Sequence, residues 1–365
     1  MIRLAVIILA GLVVCTSQAP AHEPAAKPAL KGLDPIELAK GKEVAGQEKF
    51  TAVHGRYLYW FASKDNQTTF AKNPNRHAIQ MAGACARMGP LSGAGNPGRF
   101  FVFDSRIYVF ASDICRDNFK KNPLLHIDLP DLAPAGGPKE REQAQRLLDL
   151  ALKGFGGADK VDAIKNLQTA LPRSYGAGKD KVDGTLTTTL AFPNLLRQDE
   201  SWGKWTGSHA LSGGKSFQRS GDDERPLEEV EREYLKRECF RHPLPLLRAR
   251  KQADFVAIAA GKGKLGEREV DLLKIGVGGA TSTLSIDPQT GQVLAIAYRG
   301  RPGIGPIGAM ERTYTDFKSI DGVVLPHAVR TTWESKLLPT YSGAYSAVRV
   351  STELDVNFFG KPSSK

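Results

Sequence analysis

The sequence predicts an α+β protein of two domains: a small one built on a strand–helix repeat, then a large curved antiparallel sheet, barrel-like, with packed helices. Three observations carry this prediction. First, Tyr59-Trp-Phe-Ala-Ser63, followed by Phe70 and Lys72-Asn-Pro74, returns 49 positions later as Tyr108-Val-Phe-Ala-Ser112, Phe119 and Lys121-Asn-Pro123. His77 and His126 keep the same register, and a repeat at fixed period marks one supersecondary unit used twice. Second, short β-type segments separated by turn signals dominate the chain from Leu167 onward. Third, a turn-rich stretch without periodicity, 129–138, lies between the two patterns and reads as a linker. With 365 residues, 41% of them hydrophobic, the chain can build two proper cores.

The opening residues address the chain. Arg3 precedes the apolar run Leu4–Val14, and Ala19-Pro-Ala21 closes it, which is the pattern of a signal peptide spanning 1–21 and cleaved near Ala19 or Ala21. A periplasmic or secreted location is expected. The apolar run is shorter than the roughly 20 residues that a bilayer span needs. Leu12-Val-Val-Cys15 resembles a lipobox, but Val14 stands where a small residue belongs, so a lipid anchor at Cys15 is the lesser alternative. Residues 22–30, rich in Pro and Ala, read as a disordered lead-in. The net charge of +11 is interleaved with acidic residues along the chain. Its densest cluster is Lys236, Arg237, Arg241, Arg248, Arg250 and Lys251. This pattern argues against nucleic acid and allows peripheral contact with an anionic membrane surface.

Residues 31–128 form the first domain. In each repeat, alternating aromatic and β-branched residues predict a strand, and Ser63 or Ser112 then caps a short helix. The Asn-Pro pair stops that helix, because the residue before proline is pushed out of the helical region. Leu33-Asp-Pro35, Gly41-Lys42, Gly55–Ser63, Phe70, Asn73-Pro74 and Gly83-Ala-Cys85-Ala86 together resemble the YHS domain. That resemblance implies a small α+β module, which in members with paired cysteines holds metal. Here Ala62 and Asn66 occupy the paired positions in the first copy, and Ala111 and Cys115 in the second. The donors left for a copper or other soft metal ion are Cys85, Cys115, His77 and His126. If the strands pair as the repeat suggests, Cys85 approaches Cys115, and a disulfide, two free thiols or a two-coordinate copper(I) site all remain open. Both histidines follow the Asn-Pro stop and equally suit capping or a solvent-facing place. No other cofactor is expected. Residues 81–98, rich in Gly and Pro around Cys85, read as a loop with tight turns.

Residues 139–360 form the second domain. Ala144, Leu147, Leu148, Ala151 and Leu152 share one face of a helix over 141–153, which Gly154 ends. A second short helix carries Val161 and Ile164 inward. Strands follow over 181–191, 195–203, 206–211, 254–260, 268–275, 281–286, 292–298, 310–318, 323–334 and 344–357. One helical interruption over 226–250 puts Leu227, Val230, Tyr234 and Leu235 at helical spacing, opposite a charged face that reads as solvated. Ile286–Leu294 and Tyr314–Pro326, with Phe155-Gly-Gly-Ala-Asp-Lys160 and Phe192–Arg197, resemble the lipoprotein-carrier (LolA/LolB-like) fold. The resemblance implies an open β half-barrel closed by helices over an apolar cavity, and with it an apolar ligand, a lipid or a lipidated protein as partner. Trp202, Trp205, Phe217, Phe240 and Trp333 are the candidate cavity-lining aromatics, with ordinary core packing as the alternative for each.

Chemical motifs fail on inspection. Gly303-Ile-Gly305-Pro-Ile-Gly308 matches a dinucleotide fingerprint, but a strand pattern follows it rather than the helix that would hold a pyrophosphate, so a hairpin tip is expected. Gly213-Gly-Lys-Ser216 lacks the first glycine of a phosphate loop, since His209 stands there. Neither His-Glu-x-x-His nor Gly-x-Ser-x-Gly occurs, and no catalytic residue is assigned. The expectation is a non-catalytic exported binding protein, with metal binding by the first domain as the alternative.

Overall fold

The computed structural model describes residues 27–360 apart from Ala177 and Val356. The expected signal peptide, Cys15 and the start of the 22–30 lead-in lie outside the described residues. The end of that lead-in is not a disordered tail. Ala29 and Leu30 are buried in the first core, Leu30 completely, because an apolar side chain there finds Ile36, Phe61 and Phe70 to pack with.

The first domain repeats itself in space. After α1 (Pro35–Ala39) comes the antiparallel hairpin β1 (Gln47–His54) and β2 (Tyr57–Phe61), then α2 (Lys64–Lys72) and α3 (Pro74–His77). The second copy has β3 (Asn96–Phe103), β4 (Arg106–Phe110) and α4 (Asp113–Lys121). Ser63 and Ser112 cap their helices alike, each hydroxyl accepting the backbone N–H three residues on at 3.2 Å. The buried Phe70 ring sits 5.0 and 5.1 Å from Tyr59 and Phe61, and Phe119 sits 5.2 Å from both Tyr108 and Phe110. The structure also lengthens the repeat. Leu30-Lys31-Gly32 turns with φ of 58°, 58° and 79°, and Met81-Ala82-Gly83 with 55°, 53° and 77°. The chain on either side of the second turn lies parallel beside β4, with the Gln80 and Ala86 N–H groups donating to the Ile107 and Val109 carbonyls.

The second domain begins with α5 (Pro138–Gly154) and α6 (Ala158–Ala163). The α5 face anticipated from its periodicity is the one buried. A seven-stranded antiparallel sheet has β5 (Asn166–Tyr175), β6 (Val182–Ala191), β7 (Leu195–Trp202), β8 (Trp205–Leu211), β9 (Phe217–Ser220) and β10 (Asp223–Pro226) in meander order. Helices α7 (Glu229–Glu238) and α8 (Pro243–Arg248) then cross to an eight-stranded antiparallel sheet. That sheet runs through β11 (Val256–Leu265), β12 (Arg268–Val277), β13 (Ala280–Ile286), β14 (Val293–Gly300), β15 (Gly308–Ile320) and β16 (Val323–Trp333) to β17 (Lys336–Leu337). The expected curved antiparallel architecture is present, carried by two sheets. The chain end stitches them: β18 (Gly343–Ala344) pairs with β16, and β19 (Ala347–Val350) pairs with β5. The crossing takes one step, with Tyr345 N–H on the His327 carbonyl and Ser346 N–H on that of Ala170.

Helix α5 reaches the turn before β14 through glycine. A Cβ on Gly154 would collide with the Gly291 carbonyl, which is backbone and cannot yield. Gly154→Ala is therefore expected to cost about 1–3 kcal/mol, the usual range for overpacking. Gly93→Ala, where a Cβ meets nothing within 4 Å, is the control and should stay within about 0.5 kcal/mol in urea unfolding.

The two domains are docked by the glycine motif. Between β14 and β15, Gly305 N–H donates to the Met88 carbonyl and Ile307 N–H to that of Leu125. Arg301, 7% exposed, donates to the His126 carbonyl at 3.0 Å, and its guanidinium lies against Gly89. The motif is a hairpin tip, as expected, and packs on the first domain.

Helices α7 and α8 overturn one expectation. The charged face of 226–250 is solvated only in part: Glu229, Glu233 and Lys236 are exposed, as is Val230, expected inward, at 42%. Glu231 is fully buried, and Arg237 and Arg241 are 7% and 4% exposed. Partners explain this: Arg237 pairs with Asp128 at 2.8 Å, Arg241 with Asp131 at 3.1 Å and Glu231 with Arg225. Arg250 and Lys251 both pair with Asp162, so most of the basic cluster is spent inside the molecule.

Candidate functional site

The site follows from strand parity. Side chains two apart on a strand share a face. Leu167, Thr169 and Leu171 on β5, Leu186, Thr188 and Leu190 on β6, and Leu196 and Gln198 on β7 all point inward from the first sheet. Arg312 and Tyr314 on β15, with Val329 and Thr331 on β16, face them from the second. Glu238 ends α7, and Arg241 and His242 join it to α8, so these three form the base. Tyr341 and Tyr345 from the stitching segment complete a pocket of about 80 Å³.

Its polar wall is organised around Arg312. The Arg312 guanidinium donates to the Arg241 carbonyl at 3.0 Å and lies 5.4 Å over the Tyr298 ring. Arg241 stacks on the same ring at 4.7 Å and is held by Asp131 and the carbonyls of Thr281 and Arg299. Arg312 itself makes no ion pair among the described residues. Burial would lower its pKa, but Tyr298, Tyr314 and Glu238 outweigh that and hold it above the ordinary guanidinium value. The guanidinium is permanently charged. Burial raises the Glu238 carboxyl, while Arg241 and Arg312 only partly offset this. Burial, with the Arg312 charge beside it, pushes His242 down to about 3. At neutral pH His242 is therefore uncharged. Its Nδ1 accepts from Leu244 N–H and caps α8, which places the proton on Nε2. The Tyr314 hydroxyl faces Arg312 but completes no well-formed hydrogen bond. A half-buried guanidinium and a buried hydroxyl with spare donor capacity, opposite leucines, suit an anionic head group attached to an apolar body.

A polar stripe leaves the pocket along the first sheet. Gln198 donates to Thr188, His209 Nε2 meets Gln198 Oε1 at 2.7 Å, and Gln218 donates to the Leu91 carbonyl of the first domain.

The anticipated aromatics lie elsewhere. Trp202 is half-buried with the Arg173 guanidinium 4.6 Å above its ring, and Trp205, its hairpin partner, is 43% exposed. Phe217 is buried beneath Arg197, Phe240 is buried against Gly278, and Trp333 is half-buried beside Gly308 at the end of β16. The pocket wall is made of other side chains. Sequence reasoning missed Glu238, Arg241, His242, Arg312 and Tyr314. The available signal was phase: Thr169, Thr188 and Gln198 sit in register with leucines at inward positions, and Arg312 and Tyr314 in register with Met310.

In the first domain, Cys85 and Cys115 are free thiols side by side in one apolar cluster. His126 stacks on Phe119, and its Nδ1 meets the Arg87 carbonyl at 2.9 Å. His77, half-buried, ends α3. No group of three His, Cys, Asp or Glu among the described residues gathers as metal ligands would.

Fold and site thus define a two-sheet antiparallel β domain with a charged inter-sheet pocket, docked to a small internally repeated domain. No protein-family model matches the chain, and no curated protein matches it. Solved structures similar to it include an outer membrane lipoprotein-sorting protein domain from Vibrio parahaemolyticus, 11% identical over 59% of this chain and 97% of that one, with a TM-score of 0.34. A DUF1329 family protein from Desulfovibrio piger has the same identity and TM-score over 59% of this chain and 96% of its own. A LolA superfamily protein from Nitrosomonas europaea is 12% identical over 60% of this chain and 97% of its own, also with a TM-score of 0.34. No described helix is long and apolar enough to cross a membrane.

Proposed function

We propose that this chain is an exported, non-catalytic binding protein whose inter-sheet pocket grips the anionic head of an amphiphile such as a fatty acid or lysolipid. The carrying observation is Arg312, a half-buried, permanently charged guanidinium without an ion-pair partner among the described residues, facing rows of leucine. Leaving a charge so placed is costly unless something completes it, and a carboxylate or phosphate does. A pocket of about 80 Å³ holds a head group and a few methylenes, well below the roughly 300–1,000 Å³ of sites that enclose a whole drug-sized ligand. The ligand is therefore held at its head end. The repeated first domain, YHS-like on its sequence, is the docking module of the pair.

Native mass spectrometry of the secreted chain tests the reading. An adduct of lipid mass, lost on denaturation, is the expected result. Titration with laurate then compares wild type with Arg312→Met. Loss of charged hydrogen bonds worth about 1.5–3 kcal/mol weakens binding roughly 10- to 150-fold. The same change leaves the empty fold as stable or somewhat more so, because a partly buried charge is removed. Equal laurate affinity in the two proteins would sink the proposal.

A further inference from the structure

The lengthened repeat places two sites in correspondence. In the first copy Asp34, fully buried, follows the left-handed turn Leu30–Gly32. Its Oδ1 accepts from Ile36 and Glu37 N–H at 2.7 and 3.2 Å, and its Oδ2 from Ala62 N–H at 2.6 Å and Asn66 Nδ2 at 2.8 Å. In the second copy Cys85, also fully buried, follows the matching turn Met81–Gly83. Its sulfur lies near the Ala111 N–H, the counterpart of that of Ala62, and beside the side chain of Cys115, the counterpart of Asn66; the Met88 N–H, the counterpart of that of Glu37, lies near it as well and donates to the Cys85 carbonyl at 2.8 Å. A cradle that holds a carboxylate in one copy therefore holds a sulfur in the other.

The two thiols differ in access. Cys85 is 0% exposed, whereas Cys115 is half-buried in the first turn of α4. The Ser112 hydroxyl accepts the Cys115 backbone N–H at 3.2 Å and lies beside the Cys115 thiol, with Arg87 near. A helix amino terminus and a neighbouring cation favour thiolate. Burial alone would raise Cys115, but these groups and the Cys85 contact lower it, while burial raises Cys85. An accessible thiol beside a buried one in contact is the arrangement that disulfide exchange needs.

We propose that Cys85 and Cys115 are a reversible dithiol–disulfide couple, with Cys115 as the attacking thiol and Cys85 as the resolving one. The Cys115 thiolate attacks a small-molecule disulfide, forming a mixed disulfide and releasing one thiolate. Cys85 gives its proton to that thiolate and attacks the Cys115 sulfur, expelling the second thiolate, which takes up from solvent the proton that Cys115 released on ionising. The protein loses two electrons and two protons, and the external disulfide becomes two thiols. The backbone N–H groups of Met88 and Ala111 stabilise Cys85 as it becomes the anion.

The full chain, reduced and then exposed to oxidised glutathione without denaturant, is trapped with N-ethylmaleimide and mapped by mass spectrometry. The expected product is one Cys85–Cys115 disulfide with Cys239 still a thiol, restored to the dithiol by dithiothreitol in the folded protein. Before oxidation, Cys115 should alkylate at least about 10-fold faster than the buried Cys239. In Cys85→Ser the glutathione adduct should stay on Cys115. An adduct resting on Cys85 in Cys115→Ser, a disulfide that dithiothreitol cannot open in the folded chain, or thiols that never react would each overturn the proposal. Should Cys85→Ser fail to fold, the wild-type alkylation ratio and the reversibility of its disulfide decide the question alone.

Discussion

Replacing Glu231 by alanine is expected to cost about 3–5 kcal/mol, the largest effect of any single substitution considered. Glu231 is fully buried near the start of α7, and both its oxygens are taken by Arg225 at 2.5 and 2.7 Å. One oxygen also accepts the Glu228 N–H and closes the capping box of the helix. Arg225 sits on the last strand of the first sheet, so this fork ties the helical insert to the sheet that precedes it. Removing the carboxylate leaves the half-buried Arg225 guanidinium with only the Glu228 charge nearby, which is the expensive way to break a buried pair. The helix loses its cap at the same time, worth about 1 kcal/mol. Glu231→Gln, which keeps the shape and some hydrogen bonds but not the charge, should lie between wild type and alanine. Chemical denaturation monitored by tryptophan fluorescence checks both. A loss below about 1 kcal/mol for alanine would mean that water replaces the carboxylate and that the helix does not depend on the pair.

Acidification from pH 6.5 to 4.5 is expected to cost the wild type about 2–3 kcal/mol more than His242→Asn. Burial, then Arg312, holds the folded His242 at about 3, against 6.5 for an ordinary histidine. Below pH 6.5 the unfolded chain takes up a proton that the folded chain refuses. Stability therefore falls as pH falls, by about 1.4 kcal/mol per unit, until pH reaches about 3. Glu238, in the same pocket, works in the opposite sense. Its folded carboxyl is raised by burial, so protonation near pH 4.5 favours the folded state. Comparison with the variant separates the two, because Glu238 is common to both proteins. Asparagine preserves the cap on Leu244 N–H that His242 Nδ1 supplies, so the variant should keep α8. Parallel stability profiles of the two proteins between pH 6.5 and 4.5 would show that His242 stays accessible to protons in the fold.

Much of the scaffold was legible because local chemistry decides it. The two Ser caps, the two Asn-Pro stops and the Phe70 and Phe119 anchors act over a few residues, and their repetition at one spacing made the unit visible. The face of α5 and most strands of the second domain follow from apolar periodicity in the same way. The strands over 217–226 escaped because four residues each, largely polar, carry too little alternation.

Three features needed the tertiary structure. The correspondence of Asp34 with Cys85 was hidden because the copies differ by two residues between the turn and the capping serine, and because a carboxylate and a thiol share no sequence signal. Only backbone conformation and the donors around each atom reveal it. The buried charges of α7 and the residues just after it looked like a solvated face, since helical spacing shows which residues lie together and not whether Asp128 and Asp131 arrive from elsewhere to neutralise them. The pocket exists only where two sheets and the stitching chain end meet, and its residues are drawn from positions 167 to 345. Short-range order was written in neighbouring residues. Which charges could be buried, and against what, depended on partners a hundred positions away.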